Sequence, residues 1–323
     1  GAITYAEIDH LGKYQKSVGY IQKHIDLIFQ LPLVKVQSSI ERHYKVVVDC
    51  INSTGMVSIV PLLEQMGCQV VAINDAMHGR FAHNPEPLSE NLTALCEAVQ
   101  AHNADLGIAV DPDVDRLAFV CEDGVCFGEE YTLVAVADYV LRHQPGNTVS
   151  NLSSTQALAE VTRRHNGTYT ASAVGEVNVV TTMKATNAVI GGEGNGGVIY
   201  PALHYGRDAL AGVALFLSFM AETGKTASQI RAQYPQYTII KDKIQLTPTI
   251  NIDALLQHLK QQYQDYPQNT VDGLKIHLDY NWVHLSRSNT EPIIRIYTES
   301  QSTTAAQNLA DQIKKDVLAL INS

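Results

Sequence analysis

The sequence predicts an α/β protein of three domains: two consecutive α/β units over residues 1–128 and 129–238, then a C-terminal α+β unit over 239–323. Three observations predict it. From Lys45 onward, β-branched runs alternate with segments of helical periodicity, the rhythm of a largely parallel sheet with crossover helices. After the Asp123-Gly124 turn the rhythm starts again. Beyond Pro235 it gives way to short, closely spaced strands between two helices.

The elements follow in order. Ile8, Leu11, Val18, Ile21, Ile25 and Ile28 recur at helical spacing and predict one or two amphipathic helices between Ile8 and Phe29. Lys45–Cys50 predicts a strand through its valine run, Val57–Met66 a helix stopped by Gly67, and Gln69–Ile73 a second strand. A helix over Leu88–Ala101 leads to the apolar strand Leu106–Val110, and Leu117–Val120 reads as another strand. In the second unit the helices are Glu130–Arg142, Thr155–Arg164 and Val177–Ala185, and the strands Thr148–Leu152, Thr168–Ser172 and Ala188–Ile190. A glycine-rich loop follows, then Val198-Ile199-Tyr200 and a long helix from about Arg207 to Met220. The last unit holds helices Ile252–Tyr263 and Thr303–Ile321 around strands at Leu274–Leu278, Trp282–Leu285 and Ile293–Tyr297.

Composition narrows the function classes. With 323 residues, 45% hydrophobic, the chain is long enough for two or three ordinary cores. A net charge of −10 argues against general affinity for nucleic acid or anionic membrane, either of which needs a basic face. The five cysteines include no Cys-x-x-Cys pair, so neither a disulfide framework nor a zinc site is predicted and a reducing cytoplasm fits. No apolar run reaches the roughly 20 residues that span a bilayer.

Three loops carry chemistry. Asp111-Pro112-Asp113-Val114-Asp115-Arg116 follows an apolar strand, so it stacks negative charge at a strand's carboxyl end, where α/β sheets collect ligands. Carboxylates this close repel, and a hard cation such as Mg²⁺ relieves that repulsion. Rival readings are a solvated acidic turn, an aspartyl-phosphate phosphatase with Asp111 as nucleophile, and a calcium loop, whose sixth position needs the glycine that Arg116 replaces. In Gly192-Glu193-Gly194-Asn195-Gly196-Gly197, glycines let backbone approach a ligand while a carboxylate and an amide suit sugar hydroxyls; a flexible turn is the bland alternative. Ser286-Arg287-Ser288-Asn289-Thr290-Glu291-Pro292 joins a guanidinium, hydroxyls and an amide at a strand end, the parts of a phosphate cradle or of a polar hairpin. Among the twelve histidines, His10, His24, His102 and His165 read as solvated, and His204 stands out by its place before Gly206-Arg207-Asp208.

In order and context, these loops resemble the α-D-phosphohexomutases, the family of phosphoglucomutases, phosphomannomutases and phosphoglucosamine mutases. Val47-Val48-Asp49-Cys50 to Gly55, Phe81 to Pro87, and Asn91-Leu92 are similar to family landmarks of the second domain. The resemblance implies two α/β domains of the phosphohexomutase type and a C-terminal domain with an antiparallel sheet, corresponding to family domains II, III and IV. It also implies interconversion of hexose 6-phosphate and hexose 1-phosphate through a 1,6-bisphosphate and a phosphoserine enzyme. Asp111, Asp113 and Asp115 would hold Mg²⁺, and Arg116 would add positive charge beside the phosphoserine. Glu193 and Asn195 would read the sugar, with Glu176 either a further sugar contact or a helix-start residue. Arg287, Ser288, Asn289 and Thr290 would hold the phosphate that is not reacting.

Departures from the family pattern bound these expectations. Family domain I and its phosphoserine loop are expected to come from outside these residues, because His83-Asn84-Pro85 copies part of that loop but Phe81-Ala82, not a serine, precede it. The chain alone is therefore expected not to turn over, and a non-catalytic sugar-phosphate-binding module is the alternative. Ser286 stands where the family has arginine, and a one-residue shift in a strand turns Arg287 to the other face. Gly197 replaces the histidine of phosphomannomutase-like relatives. The Gly-Asn-Gly-Gly ending leans towards glucosamine phosphate among the glucose, mannose and glucosamine phosphates.

Overall fold

A computed structural model describes residues 4–246, 250–288 and 292–321. The first unit runs α1 (Tyr20–Phe29), α2 (Val36–Arg42), β1 (Lys45–Asp49), α3 (Gly55–Gln65), β2 (Gln69–Ile73), α4 (Thr93–His102), β3 (Leu106–Val110) and β4 (Leu117–Cys121). Its strands lie in the order β2-β1-β3-β4, parallel except for the β3–β4 pair. Parallel strands covered on both faces need apolar side chains in both directions, which the runs Val46-Val47-Val48 and Leu106–Val110 supply.

The second unit repeats the plan: α5 (Glu129–His143), β5 (Asn147–Asn151), α6 (Ala157–Arg164), β6 (Tyr169–Ser172), α7 (Glu176–Thr186), β7 (Ala188–Glu193), β8 (Gly197–Ile199), α8 (Ala209–Thr223) and α9 (Ala227–Arg231). Its sheet order, β6-β5-β7-β8, has the same alternation of two parallel pairs and one antiparallel pair. α8 is buried from Ala209 to Ala221, apolar all round because it packs against both units. One apolar core consequently runs from Ile25 and Val46 through Phe119 and Phe216 to Ile230.

The third unit comprises β9 (Thr238–Gln245), α10 (Ile252–Gln262), β10 (Gln268–Asn269), β11 (Leu274–Leu278), β12 (Asn281–Arg287), β13 (Ile293–Ser300) and α11 (Thr303–Ile321). All its strand pairs are antiparallel, in the order β10-β11-β12-β13-β9. One face packs on α10 and α11 through Leu285, Ile294 and Ile296. The other faces the second unit, where buried Lys275 donates to Leu152 O at 2.6 Å and Glu299 accepts from Gln156 N at 3.1 Å.

Three sequence expectations need correction. Between Ile8 and Phe29 the only α-helix is α1, preceded by a 3₁₀ turn over Ile8–His10; Ile8, Leu11 and Val18 are exposed, so their spacing has no surface to bury against. Ile25 and Ile28 are fully buried, and burial of that kind stabilises by ~1.5–3 kcal/mol per side chain. The helix placed over Leu88–Ala101 begins at Thr93, after a 3₁₀ turn over Ser89–Asn91. The glycine-rich segment is a tight hairpin: β7 continues to Glu193 and β8 begins at Gly197. α2, β9 and α9 are not predicted because they are short or, in β9, set the charged run Lys241-Asp242-Lys243 between isoleucines at a sheet edge. Among the described residues, no helix is long and apolar enough to cross a membrane.

Candidate functional site

β3 ends at Val110 and delivers Asp111 into the interior, only 4% exposed, at the carboxyl end of the first sheet. Asp111 Oδ1 accepts from the backbone N–H groups of Asp115 and Arg116, both at 3.0 Å, and so folds the loop back on itself. Val114 takes a left-handed φ of 61° at the turn, and Ser53 and Thr54 hydroxyls hold Pro112 O from outside. Ligand atoms of Asp111, Asp113 and Asp115 come within 4.8 Å of one another. Burial, reinforced by the charges of Asp115 and Asp113, pushes the Asp111 carboxyl up to about 7 against the opposing Arg116 N–H.

These residues fit a hard cation. Asp115 Oδ1 is buried and has no hydrogen-bond partner, and an all-oxygen donor set suits Mg²⁺. Arg116 neutralises part of the charge, with Nε at 3.3 Å from Asp111 Oδ2 and Nη1 at 3.1 Å from Glu86 Oε1.

Arg207, to which the sequence assigned no role, joins the aspartate loop to the glycine-rich hairpin. Its Nη1 donates to Glu193 Oε2 at 2.8 Å, its Nη2 to Asp115 Oδ2, and its Nε lies 3.5 Å from Glu176 Oε2. Burial would lower its pKa, but the three carboxylates together raise it. Gly197 explains the fit: a Cβ there would stand 2.4 Å from Arg207 Cδ, so the missing side chain is the channel for the arginine stem. Glu176 starts α7 and also accepts from Arg207 N at 3.0 Å, so the structure engages it on Arg207.

Glu193, 4% exposed, is fixed at its other oxygen by Asn151 Nδ2 at 2.8 Å. Asn195 Oδ1 accepts from Gly197 N at 3.2 Å. Both border a cavity of about 310 Å³ between the second and third units, whose far wall carries Lys241, Ser286, Arg287 and Arg295. Glu130 forms part of the floor; burial pushes its carboxyl up to about 8, and its Oε2 would lie 2.0 Å from a Cβ on Gly194.

The register of the third sheet resolves the displaced arginine. Ser286 pairs directly with Arg295, so the two side chains share the cleft face. Arg287 alternates onto the face of buried Leu285, yet as the last residue of β12 it is exposed and borders the cleft. Arg295 Nη2 reaches Ser288 Oγ at 3.4 Å. Asn289 and Thr290 lie outside the described residues. Arg295 and Lys241 were missed because a lone cation in a strand reads as ordinary polarity of a solvent-facing position, and nothing in its spacing marks a cleft. Two histidines also need correction: His24 and His165 are carboxylate-bonded at 2.7 Å, to Asp208 and Asp138, because tertiary packing brings acids from distant elements to what reads as a polar helix face.

Three sequence profiles match the chain: phosphoglucomutase/phosphomannomutase alpha/beta/alpha domain II over residues 20–124, alpha/beta/alpha domain III over 128–237, and the C-terminal domain over 245–316. A probable phosphoglucosamine mutase of Methanopyrus kandleri is 32% identical over 97% of this chain and 69% of its own length. A phosphoglucomutase/phosphomannomutase of Thermococcus kodakarensis is 36% identical over 94% of this chain and 68% of its own. Among solved structures, a phosphoglucomutase/phosphomannomutase family protein from Burkholderia thailandensis shares the fold with a TM-score of 0.79 at 24% identity, covering 93% of this chain and 64% of that one. The chain thus spans about two thirds of the length of these relatives.

Proposed function

Because the chain belongs to the phosphoglucomutase/phosphomannomutase family, we propose that it forms the metal, sugar and phosphate sites of an enzyme that interconverts hexose 6-phosphates and hexose 1-phosphates in the cytoplasm. Glucosamine phosphate is the favoured substrate among the three hexoses. The observation that carries the reading is the Arg207 bridge, which ties Asp115 of the metal loop to Glu193 of the sugar loop. Asp111, Asp113 and Asp115 are the residues that hold Mg²⁺, which when bound neutralises charge on the transferring phosphoryl group. Arg116 contributes a second positive charge beside them, with Nη1 held by Glu86.

On the cleft side, Arg295, Lys241 and Arg287 hold the phosphate that is not reacting, while Glu193 and Asn195 take hydroxyls of the ring. By the family resemblance Ser288, Asn289 and Thr290 serve the same phosphate. The hexose 1,6-bisphosphate formed midway has to present each phosphate in turn to the metal loop. A cavity with cations along one wall and a carboxylate along the other suits a ligand that reverses, since either end meets the same charges. Phe81-Ala82, not a serine, stand directly before His83. The phosphoserine is accordingly proposed to lie on polypeptide outside these 323 residues.

The test uses the protein joined to that polypeptide, with its serine phosphorylated. It should convert glucosamine 6-phosphate to the 1-phosphate, and Asp113→Asn and Arg295→Ala should each lower kcat/KM at least tenfold. Absence of turnover with all three hexose phosphates would sink the proposal.

A further inference from the structure

His24, His204 and Asp208, side-chain types able to ligate a metal ion, line a cavity that Arg207 also borders. His24 projects from α1, His204 from the loop before α8, and Asp208 caps α8. His24 Nε2 lies 2.7 Å and His204 Nε2 2.9 Å from the same oxygen, Asp208 Oδ2. The three ligand atoms come within 4.8 Å of one another. Asp208 is 5% exposed and cannot swing away, because its Oδ1 accepts from Ala211 N at 3.0 Å.

We infer that His24, His204 and Asp208 form a site for a late first-row divalent ion of the Zn²⁺ class. Two imidazole nitrogens and one carboxylate oxygen make a borderline donor set, which selects such ions over Mg²⁺, whereas Asp111, Asp113 and Asp115 offer oxygen alone. Bonds of about 2.0–2.1 Å in tetrahedral geometry separate donors by roughly 3.3 Å, so each imidazole nitrogen needs to draw back from Asp208 Oδ2 by only about half an ångström. The Ala211 hydrogen bond supplies the outer contact that orients a ligating carboxylate. The remaining side faces a cavity of about 410 Å³ bordered by Tyr20, Asp113 and Arg207, which leaves a coordination position open to solvent or a small ligand. Arg207 offers little repulsion, because Asp115, Glu193 and Glu176 already surround its guanidinium. An ion here clamps α1 to the start of α8, two elements 184 positions apart at their ligands. The inference does not depend on the phosphoryl-transfer reading.

Titration of the 323-residue chain with Co²⁺, in saturating Mg²⁺, tests it. One Co²⁺ per chain should bind with a visible d–d spectrum and be displaced by Zn²⁺. His24→Gln and His204→Gln, which can still donate to Asp208 and so preserve the junction, should each weaken Co²⁺ binding at least tenfold. Asp113→Asn should leave Co²⁺ binding unchanged. A parent chain without the d–d band, glutamine variants that bind Co²⁺ as tightly as the parent, or loss of binding in Asp113→Asn would each overturn the inference.

Discussion

Replacing Arg207 by methionine keeps the aliphatic stem in the space left by Gly197 and removes only the guanidinium. Glu193, with a side chain 6% exposed, then loses the donor on Oε2 and keeps Asn151 and Gly175 on Oε1. Asp115, 20% exposed, loses its donor on Oδ2 while Oδ1 already has none. A charge-assisted hydrogen bond contributes ~1.5–3 kcal/mol, and removing one partner of a buried ion pair costs ~3–5 kcal/mol. Discounting Asp115 for its solvent contact and Glu176 for being a third exposed, the loss should fall at about 3–5 kcal/mol. Urea unfolding followed by circular dichroism measures it; fluorescence does not suit, because the single tryptophan, Trp282, reports only the third unit. Adding Glu193→Gln should recover part of the loss, with a coupling of about 1–3 kcal/mol in the double-mutant cycle. A loss below about 1 kcal/mol, or additive single changes, would show that Arg207 does not neutralise these carboxylates.

Three further outcomes follow from the same geometry. Mg²⁺ must displace the proton that burial holds on Asp111 up to about 7, so calorimetric affinity should fall as pH drops below 7, about tenfold per unit; a flat profile between pH 6 and 8 would contradict this. Gly194→Ala should cost ~1–3 kcal/mol in thermal melts, because its Cβ meets Glu130 Oε2 at 2.0 Å, and an unchanged melting temperature would count against that contact. Burial lowers Lys275 to about 8, below its unfolded value, so the unfolded chain binds more protons between pH 8 and 10.5. Stability should therefore rise over that window relative to Lys275→Met, and parallel pH profiles for the two proteins would refute the assignment.

Much of this architecture was legible because it rests on short-range rules. Val46-Val47-Val48 and Leu106–Val110 have to be central strands, and a charged loop directly after Val110 has to sit at a strand end. The stretch from Ile8 to Val18 shows where the same rule misleads, since periodicity marks a helix only when a surface exists to bury its apolar face. Strand β9 was illegible for the opposite reason: its lysines and aspartate are polar, yet one of them, Lys241, helps to line the cleft.

By itself the sequence determined the three chemical loops, their order, and the resemblance that the family matches then established. Only the tertiary structure decided which side chains meet. It set Arg207 between Asp115 and Glu193, 92 and 14 positions away, and put Arg295 beside Ser286 by strand register. It also gathered His24, His204 and Asp208 around one carboxylate oxygen. Local sequence fixes backbone conformation through propensity and periodicity, whereas contacts between distant side chains depend on how the three sheets pack, and spacing along the chain carries no record of that.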